Sequence, residues 1–343
     1  MRKLFSILIL FSFAVITHAQ DIHFSQLSET PLLLNPASTG VYDGYYRAIL
    51  NYKSQWVVMG NPYRTFMGSF DMPVALVKNK KFAHLGAGCF FYSDKAGSSN
   101  FGTTQANLSV AGIVPINTQS NLSAGLQCGM AQRSADITSI QWPNQYNGHN
   151  YDPGISSNET NHLSSFSFFD MSTGVQYQYL NYKGTVSGKD ATRFTAGVAV
   201  FHVTSPVQKF YSGITERQFP RIVVHTSACY DFPGSLFGIV PSVLYMAQGP
   251  ASEVDLGLLI RYKINQGTKV TGFVSESYFS GGLQLRVNDA ICPQVFFELS
   301  DYSIGLSYDI NTSGFSQVSK NQGGLEVSVK YCRMRGAIYK NMK

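Results

Sequence analysis

The stretch Tyr45-Tyr46-Arg47-Ala48-Ile49-Leu50-Asn51-Tyr52-Lys53-Ser54-Gln55-Trp56 decides the fold. As a strand it sets Tyr46, Ala48, Leu50, Tyr52 and Trp56 on one face, with Arg47, Asn51, Lys53 and Gln55 opposite, because successive side chains point to opposite sides. From Tyr46 to Trp56 is about ten steps of roughly 3.4 Å, and a tilt of about 40° reduces this to a rise of roughly 26 Å. The apolar band of an outer-membrane barrel is about 25 Å tall. Aromatic rings at both ends of the span suit the two membrane interfaces, where an apolar body with a polar tip is most stable.

A half-buried strand of a soluble sandwich alternates in the same way, so the pattern has to recur. It does. Val254, Leu256, Leu258, Ile260, Tyr262 and Ile264 alternate with Glu253, Asp255, Gly257, Arg261 and Lys263, interrupted on the polar side only by Leu259. Tyr302, Ile304, Leu306, Tyr308 and Ile310 alternate with Ser303, Gly305, Ser307 and Asp309, and Leu325, Val327, Val329 and Tyr331 with Glu326, Ser328, Lys330 and Cys332. Leu122, Ala124, Leu126, Cys128 and Met130 do likewise against Ser123, Gly125, Gln127 and Arg133.

Residues 1–19 read as a secretory signal: Arg2 and Lys3, an apolar run from Leu4 to Ile16, then Thr17-His18-Ala19 before Gln20. Nothing later approaches the ~18 uninterrupted apolar residues of a membrane helix, so a membrane location requires a closed barrel, the other structure that satisfies every backbone group in lipid. The chain has 24 Phe, 20 Tyr and 31 Gly but only 13% charged residues, a porin-like balance. Its Lys and Arg are scattered, which gives nucleic acid no footprint. Cys89, Cys128, Cys229, Cys292 and Cys332 stand singly with no CxxC, and read as strand residues rather than disulfides or metal ligands.

The periodicity predicts strands over 45–56, 65–75, 83–94, 102–114, 119–133, 166–180, 191–203, 221–232, 236–247, 253–265, 278–288, 290–299, 301–310 and 323–333. An even count of about fourteen suits a single-chain bacterial barrel. With both ends periplasmic, connections 134–165, 204–220 and 311–322 face outward; 265–277 is long for an inward turn. Pro241 and Pro293 fall inside two of these strands and predict bulges or shortened pairing there. The expected organisation is therefore all-β: signal peptide 1–19, an extended segment 20–44, a transmembrane antiparallel barrel 45–333 and a basic tail 334–343.

No chemistry-bearing motif emerges. His23, His84, His149, His162, His202 and His225 show no metal spacing, and there is no HExxH, GxSxG, P-loop or dinucleotide fingerprint. The expectation is a chain that is not an enzyme and holds no cofactor or metal. Lumen-side charges Arg47, Lys53, Asp255, Arg261, Lys263, Glu326 and Lys330 either line a pore or neutralise one another in a plugged barrel; both signs are present, which favours plugging. Two places suit partner docking: Asn35 and Pro36, where proline sets a fixed turn in a segment that could instead plug the lumen, and the loop residues Trp142, Asn144, Gln145 and Tyr146, aromatics among turn-formers. The same loop could instead fold into the barrel mouth as a constriction.

Gln20-Asp21-Ile22-His23-Phe24-Ser25-Gln26, Pro31-Leu32-Leu33-Leu34-Asn35-Pro36-Ala37-Ser38-Thr39-Gly40 and the strand ending Lys53-Ser54-Gln55-Trp56 together resemble the PorP/SprF family of type IX secretion system membrane proteins. Pro62-Tyr63-Arg64-Thr65, Asn144-Gln145-Tyr146-Asn147-Gly148, Phe219-Pro220-Arg221, Gln248-Gly249-Pro250 and Gly323-Gly324-Leu325-Glu326 extend the likeness through the mature chain. The resemblance implies a Bacteroidetes outer-membrane barrel without catalysis. It would act in type IX secretion and gliding motility, its partners being the C-terminal domains of large secreted adhesins, other secretion components and outer-membrane lipid. A passive porin or solute transporter is the alternative, and so, more remotely, is a structural barrel with an adhesive loop.

Overall fold

The computed structural model describes residues 21–57, 62–74, 83–97, 99–135, 140–158, 165–185, 188–209, 216–265, 277–314 and 321–334. The signal peptide, the basic tail beyond Met334 and the 266–276 connection lie outside them. The strands are β1 (Gly44–Gln55), β2 (Tyr63–Pro73), β3 (His84–Ala96), β4 (Phe101–Pro115), β5 (Ser120–Ser134), β6 (Phe166–Thr185), β7 (Gly188–Phe201), β8 (Val207–Gln208), β9 (Glu216–Arg217), β10 (Arg221–Asp231), β11 (Phe237–Gln248), β12 (Ala251–Asn265), β13 (Ser277–Arg286), β14 (Ala290–Leu299), β15 (Tyr302–Asn311) and β16 (Gln322–Met334). Fourteen of them form a closed antiparallel meander, each beside its neighbour in sequence, with β1 completing the ring against β16; β8 and β9 make a separate ribbon. Closure leaves no strand edge in lipid. Among the described residues no helix is long and apolar enough to cross a membrane, so strands do the crossing.

Every predicted barrel strand is present, and the β8–β9 ribbon within the 204–220 connection is an addition that alternation could not signal in two-residue strands. The prolines do not bulge the sheet. Pairing of β10 with β11 passes from Ser227↔Ser242 to Tyr230↔Ile239 in unchanged register around Pro241, and β14 with β15 from Ile291↔Ile310 to Gln294↔Ser307 around Pro293. Each proline interrupts a ladder on one side only, since Pro241↔Leu258 and Leu283↔Pro293 remain paired on the other. Trp56 is not in β1 as expected: the strand stops at Gln55, Trp56 turns into the left-handed region (φ 57°), and its ring packs edge-on against Tyr63 at 4.8 Å.

The two faces separate as alternation requires. Leu258 is 53% exposed while Asp255 is 1% exposed, so apolar side chains face lipid and polar ones the lumen. The described residues of connections 135–165, 202–220 and 312–321 all lie at one mouth, termed the loop mouth; the turns 116–119, 232–236 and 300–301, the start of β1 and the end of β16 lie at the other, the turn mouth. Rings girdle the turn mouth: Tyr46 against Phe70 and Tyr331, Tyr302 against Tyr331, and Phe237 against Tyr262. Trp56, Tyr63, Phe66 and Phe91 pack in pairs towards the loop mouth. An interface belt at each end is the arrangement that holds a barrel at fixed depth.

Candidate functional site: a filled barrel lumen

A polar lumen-facing surface is stable only if wet or hydrogen-bonded. Here it is bonded to the chain's own residues 21–43. Proline decides the local shape of that segment: Pro31 opens a single helical turn, Pro31–Leu34, and Pro36 a 3-10 turn, Pro36–Ser38, each at the position where a missing N–H costs nothing. Asn35 caps the second turn by accepting from the Ala37 N–H at 2.9 Å, and its amide donates to the Val175 carbonyl at 3.0 Å.

The segment touches the wall almost all the way round. Glu326 of β16 accepts the backbone N–H groups of Ser25 (2.8 Å) and Gln26 (3.0 Å), while Gln294 of β14 donates to the Ser25 carbonyl (2.7 Å). Ser38 donates to Gln176 of β6 (2.6 Å), Thr39 to Ser109 of β4 (2.9 Å), Ser123 of β5 to the Ala37 carbonyl (2.8 Å), and the Gly40 N–H to Asp71 of β2 (2.8 Å). Phe24, Leu32 and Leu33 bury against Met67, Phe90 and Tyr92, and Leu27 and Leu34 against Phe201, Val223 and Leu244. This apolar packing inside a polar barrel fixes the segment as a folded plug.

The wall is cut to fit. A Cβ at Gly125 would collide with the backbone of Pro36 and Ala37, one at Gly174 with the Asn35 side chain, and one at Gly86 with the Thr39 carbonyl. Glycine inside a strand marks such close approach. These positions are lumen-facing, so each leaves a notch into which the plug backbone settles.

The predicted lumen charges all sit inward and in partnerships. Lys53 pairs with Asp309 at 3.3 Å, Arg47 with Asp71 at 2.8 Å and Lys330 with Glu29 of the plug at 2.7 Å. Arg286 lies between Glu253 (3.4 Å), Asp255 (3.7 Å) and Asp309 (3.6 Å). Arg261 reaches Glu298 at 3.1 Å and Asp231 at 3.5 Å and stacks over Tyr278, whose ring also faces Lys263. Pairing of this density is what buried charge requires.

Asn35 and Pro36, expected to dock a partner, are instead buried in the lumen, because their bonds go to β6 and to the plug's own turn. The other candidates form an ordered surface loop. Pro143–Gln145 is a 3-10 turn, Tyr146 bridges Tyr151, Asn144 donates to the Ser157 carbonyl, and Gln145 donates to Ile155 at 2.9 Å. Tyr146 is left exposed and Trp142 half-buried. His162 lies outside the described residues.

One constellation was missed by sequence reasoning. The Asp21 carboxylate meets His202 Nε2 at 2.5 Å and takes hydrogen bonds from Gln218 (3.0 Å) and Gln248 (3.1 Å), while His202 Nδ1 faces Asp170 at 2.8 Å. Burial alone would lower the His202 pKa, but Asp21 and Asp170 outweigh it and raise it to about 9. Burial would raise that of Asp21; His202, Arg221 and Arg133 overcome it and hold the carboxyl well below its usual range. No local pattern joins residues so far apart in sequence.

A family model described as type IX secretion system membrane protein PorP/SprF matches residues 16–331. The chain belongs to the PorP/SprF family. With this fold, a PorP/SprF protein resides in the outer membrane, as a closed barrel of fourteen strands. No curated protein matches significantly. Among solved structures the PorP/SprF chain is similar to the CymD monoaromatic hydrocarbon channel (TM-score 0.44, 11% identity, 93% of this chain and 95% of that one). It is also similar to the translocator domain of the autotransporter NalP from Neisseria meningitidis (0.35, 10%, 90% and 96%) and to BamA from Haemophilus ducreyi lacking POTRA domains 1–3 (0.42, 8%, 84% and 70%).

Proposed function

We propose that this PorP/SprF barrel is a non-catalytic platform of the type IX secretion system, which holds or delivers a large secreted adhesin, including those used in gliding, at the cell surface. The filled lumen carries this reading. A passive porin needs an open path, whereas here residues 21–43 bond to the wall from β1 to β16 and the lumen charges are spent on one another. A partner is then engaged on the exposed loop mouth, where the ordered 140–158 loop presents Tyr146. The adhesin's C-terminal domain is the occupant the family suggests.

Replacing residues 140–158 by a short Gly-Ser linker tests it, with heat-dependent gel migration confirming that the barrel still inserts. Surface adhesin should fall at least tenfold while purified barrels stay non-conducting in planar bilayers. Undiminished display by that variant would refute the loop-mouth platform.

A further inference from the structure

The plug has a direction. Its C-terminal end enters β1 at the turn mouth, where Tyr42 donates to the Asp71 carbonyl at 2.7 Å and the Gly40 N–H to the Asp71 carboxylate. Its middle passes the mid-strand residues Val175, Ser109 and Gln127. Its first described residue, Asp21, lies at the opposite mouth. There the carboxylate is held by His202 and Gln218, both in the connection between β7 and β10, and by Gln248 at the tip of β11, with Arg221 at 3.8 Å; the Asp21 N–H donates to Gln248 Oε1 at 3.1 Å. Those elements all belong to the loop mouth, and in outer-membrane barrels the longer loops face the exterior.

We infer that the N-terminal end of the mature chain emerges on the cell surface, threaded outward through its own barrel and latched there by Asp21, so that the free end of the plug is addressable only from outside. The segment crosses the membrane once in the lumen, then reverses at 40–44 and crosses again as β1. The inference does not depend on which partner the barrel serves.

An epitope of about eight residues inserted between Gln20 and Asp21 leaves both the expected cleavage site and the latch intact. Two reference tags calibrate it, one within 147–150 at the loop mouth and one at Gly234 in a turn. Antibody binding to intact cells should reach the level of the 147–150 tag, while the Gly234 tag should gain at least tenfold on permeabilisation. Heat-dependent migration confirms barrel closure in each variant. If the Gln20/Asp21 tag needs permeabilisation like the Gly234 tag, the inference fails, whether or not the 147–150 tag is reached.

Discussion

Gly125→Ala is the most economical way to unseat the plug without touching a charge. The new methyl would fall against the backbone of Pro36 and Ala37, which cannot rotate away as a flexible side chain would. If the plug stays, overpacking costs about 1–3 kcal/mol. If it shifts, the 2.8 Å bond from Ser123 to the Ala37 carbonyl and the 3.0 Å bond from Asn35 to the Val175 carbonyl go with it, at about 1 kcal/mol each. The cheaper of the two responses sets the loss, about 1–2 kcal/mol, which raises the plug-out population roughly 5- to 30-fold. Gly112→Ala is the control, since a Cβ there meets nothing within 4 Å, and its effect should stay within about 0.5 kcal/mol. Single-barrel conductance in planar bilayers reads the open fraction, and the temperature at which the compact gel band is lost reads stability. Indistinguishable behaviour of the two alanine variants would refute the claim that the lumen wall is shaped to the plug.

Further outcomes follow from the faces and the latch. Leu258→Arg places a charge on the lipid face and should cost about 2–4 kcal/mol in urea unfolding from liposomes. Arg261→Ala should cost roughly 3 kcal/mol, since it removes the cation from beside Asp231 and Glu298, and a loss below about 0.5 kcal/mol would contradict its buried role. The His202 pKa is raised to about 9, so its contribution is complete below about 6.5 and fades as pH climbs through 9. The Asp21 pKa is lowered, so its contribution is present above about 4 and is lost only on stronger acidification. Hydrogen-exchange protection of residues 21–29, measured against the free peptide at each pH, should therefore be highest between about pH 4 and 6.5 and fall toward pH 9–10. His202→Asn should flatten the alkaline limb, and an equally steep limb in that variant would rule the latch out.

The barrel was legible because its determinant is local. A period of two over ten residues fixes which side of Leu258 or Asp255 meets lipid, and fourteen such segments leave closure as the way to satisfy their edges. Strand ends were less legible: Trp56 continues the alternation of β1, yet its backbone turns away, because alternation carries no information about φ. The plug was half legible. Pro36 announced a turn in residues 20–44, but its destination depended on notches at Gly86, Gly125 and Gly174, which in sequence are merely small residues on the polar face. Asn35 and Pro36 looked like docking residues for the same reason: a rigid turn suits a partner or a lumen equally well, and only the bond to Val175 separates the two. The Asp21–His202 latch joins residues 181 apart, beyond any periodic signal.

The central claim, that the chain's own N-terminal segment fills the barrel, is tested most directly by a disulfide between plug and wall in native membranes. Thr39 Oγ1 and Ser109 Oγ lie 2.9 Å apart, close enough for a bridge when both are cysteine. With the five native cysteines replaced by serine, Thr39→Cys with Ser109→Cys should oxidise nearly completely on mild treatment of intact membranes and shift the unfolded band to a faster, reductant-sensitive position. Thr39→Cys with Ser307→Cys, whose wall position instead receives Gln26, should not cross-link. Absence of the Thr39–Ser109 product, with both thiols shown to be reactive after unfolding, would mean that the plug is not in the lumen.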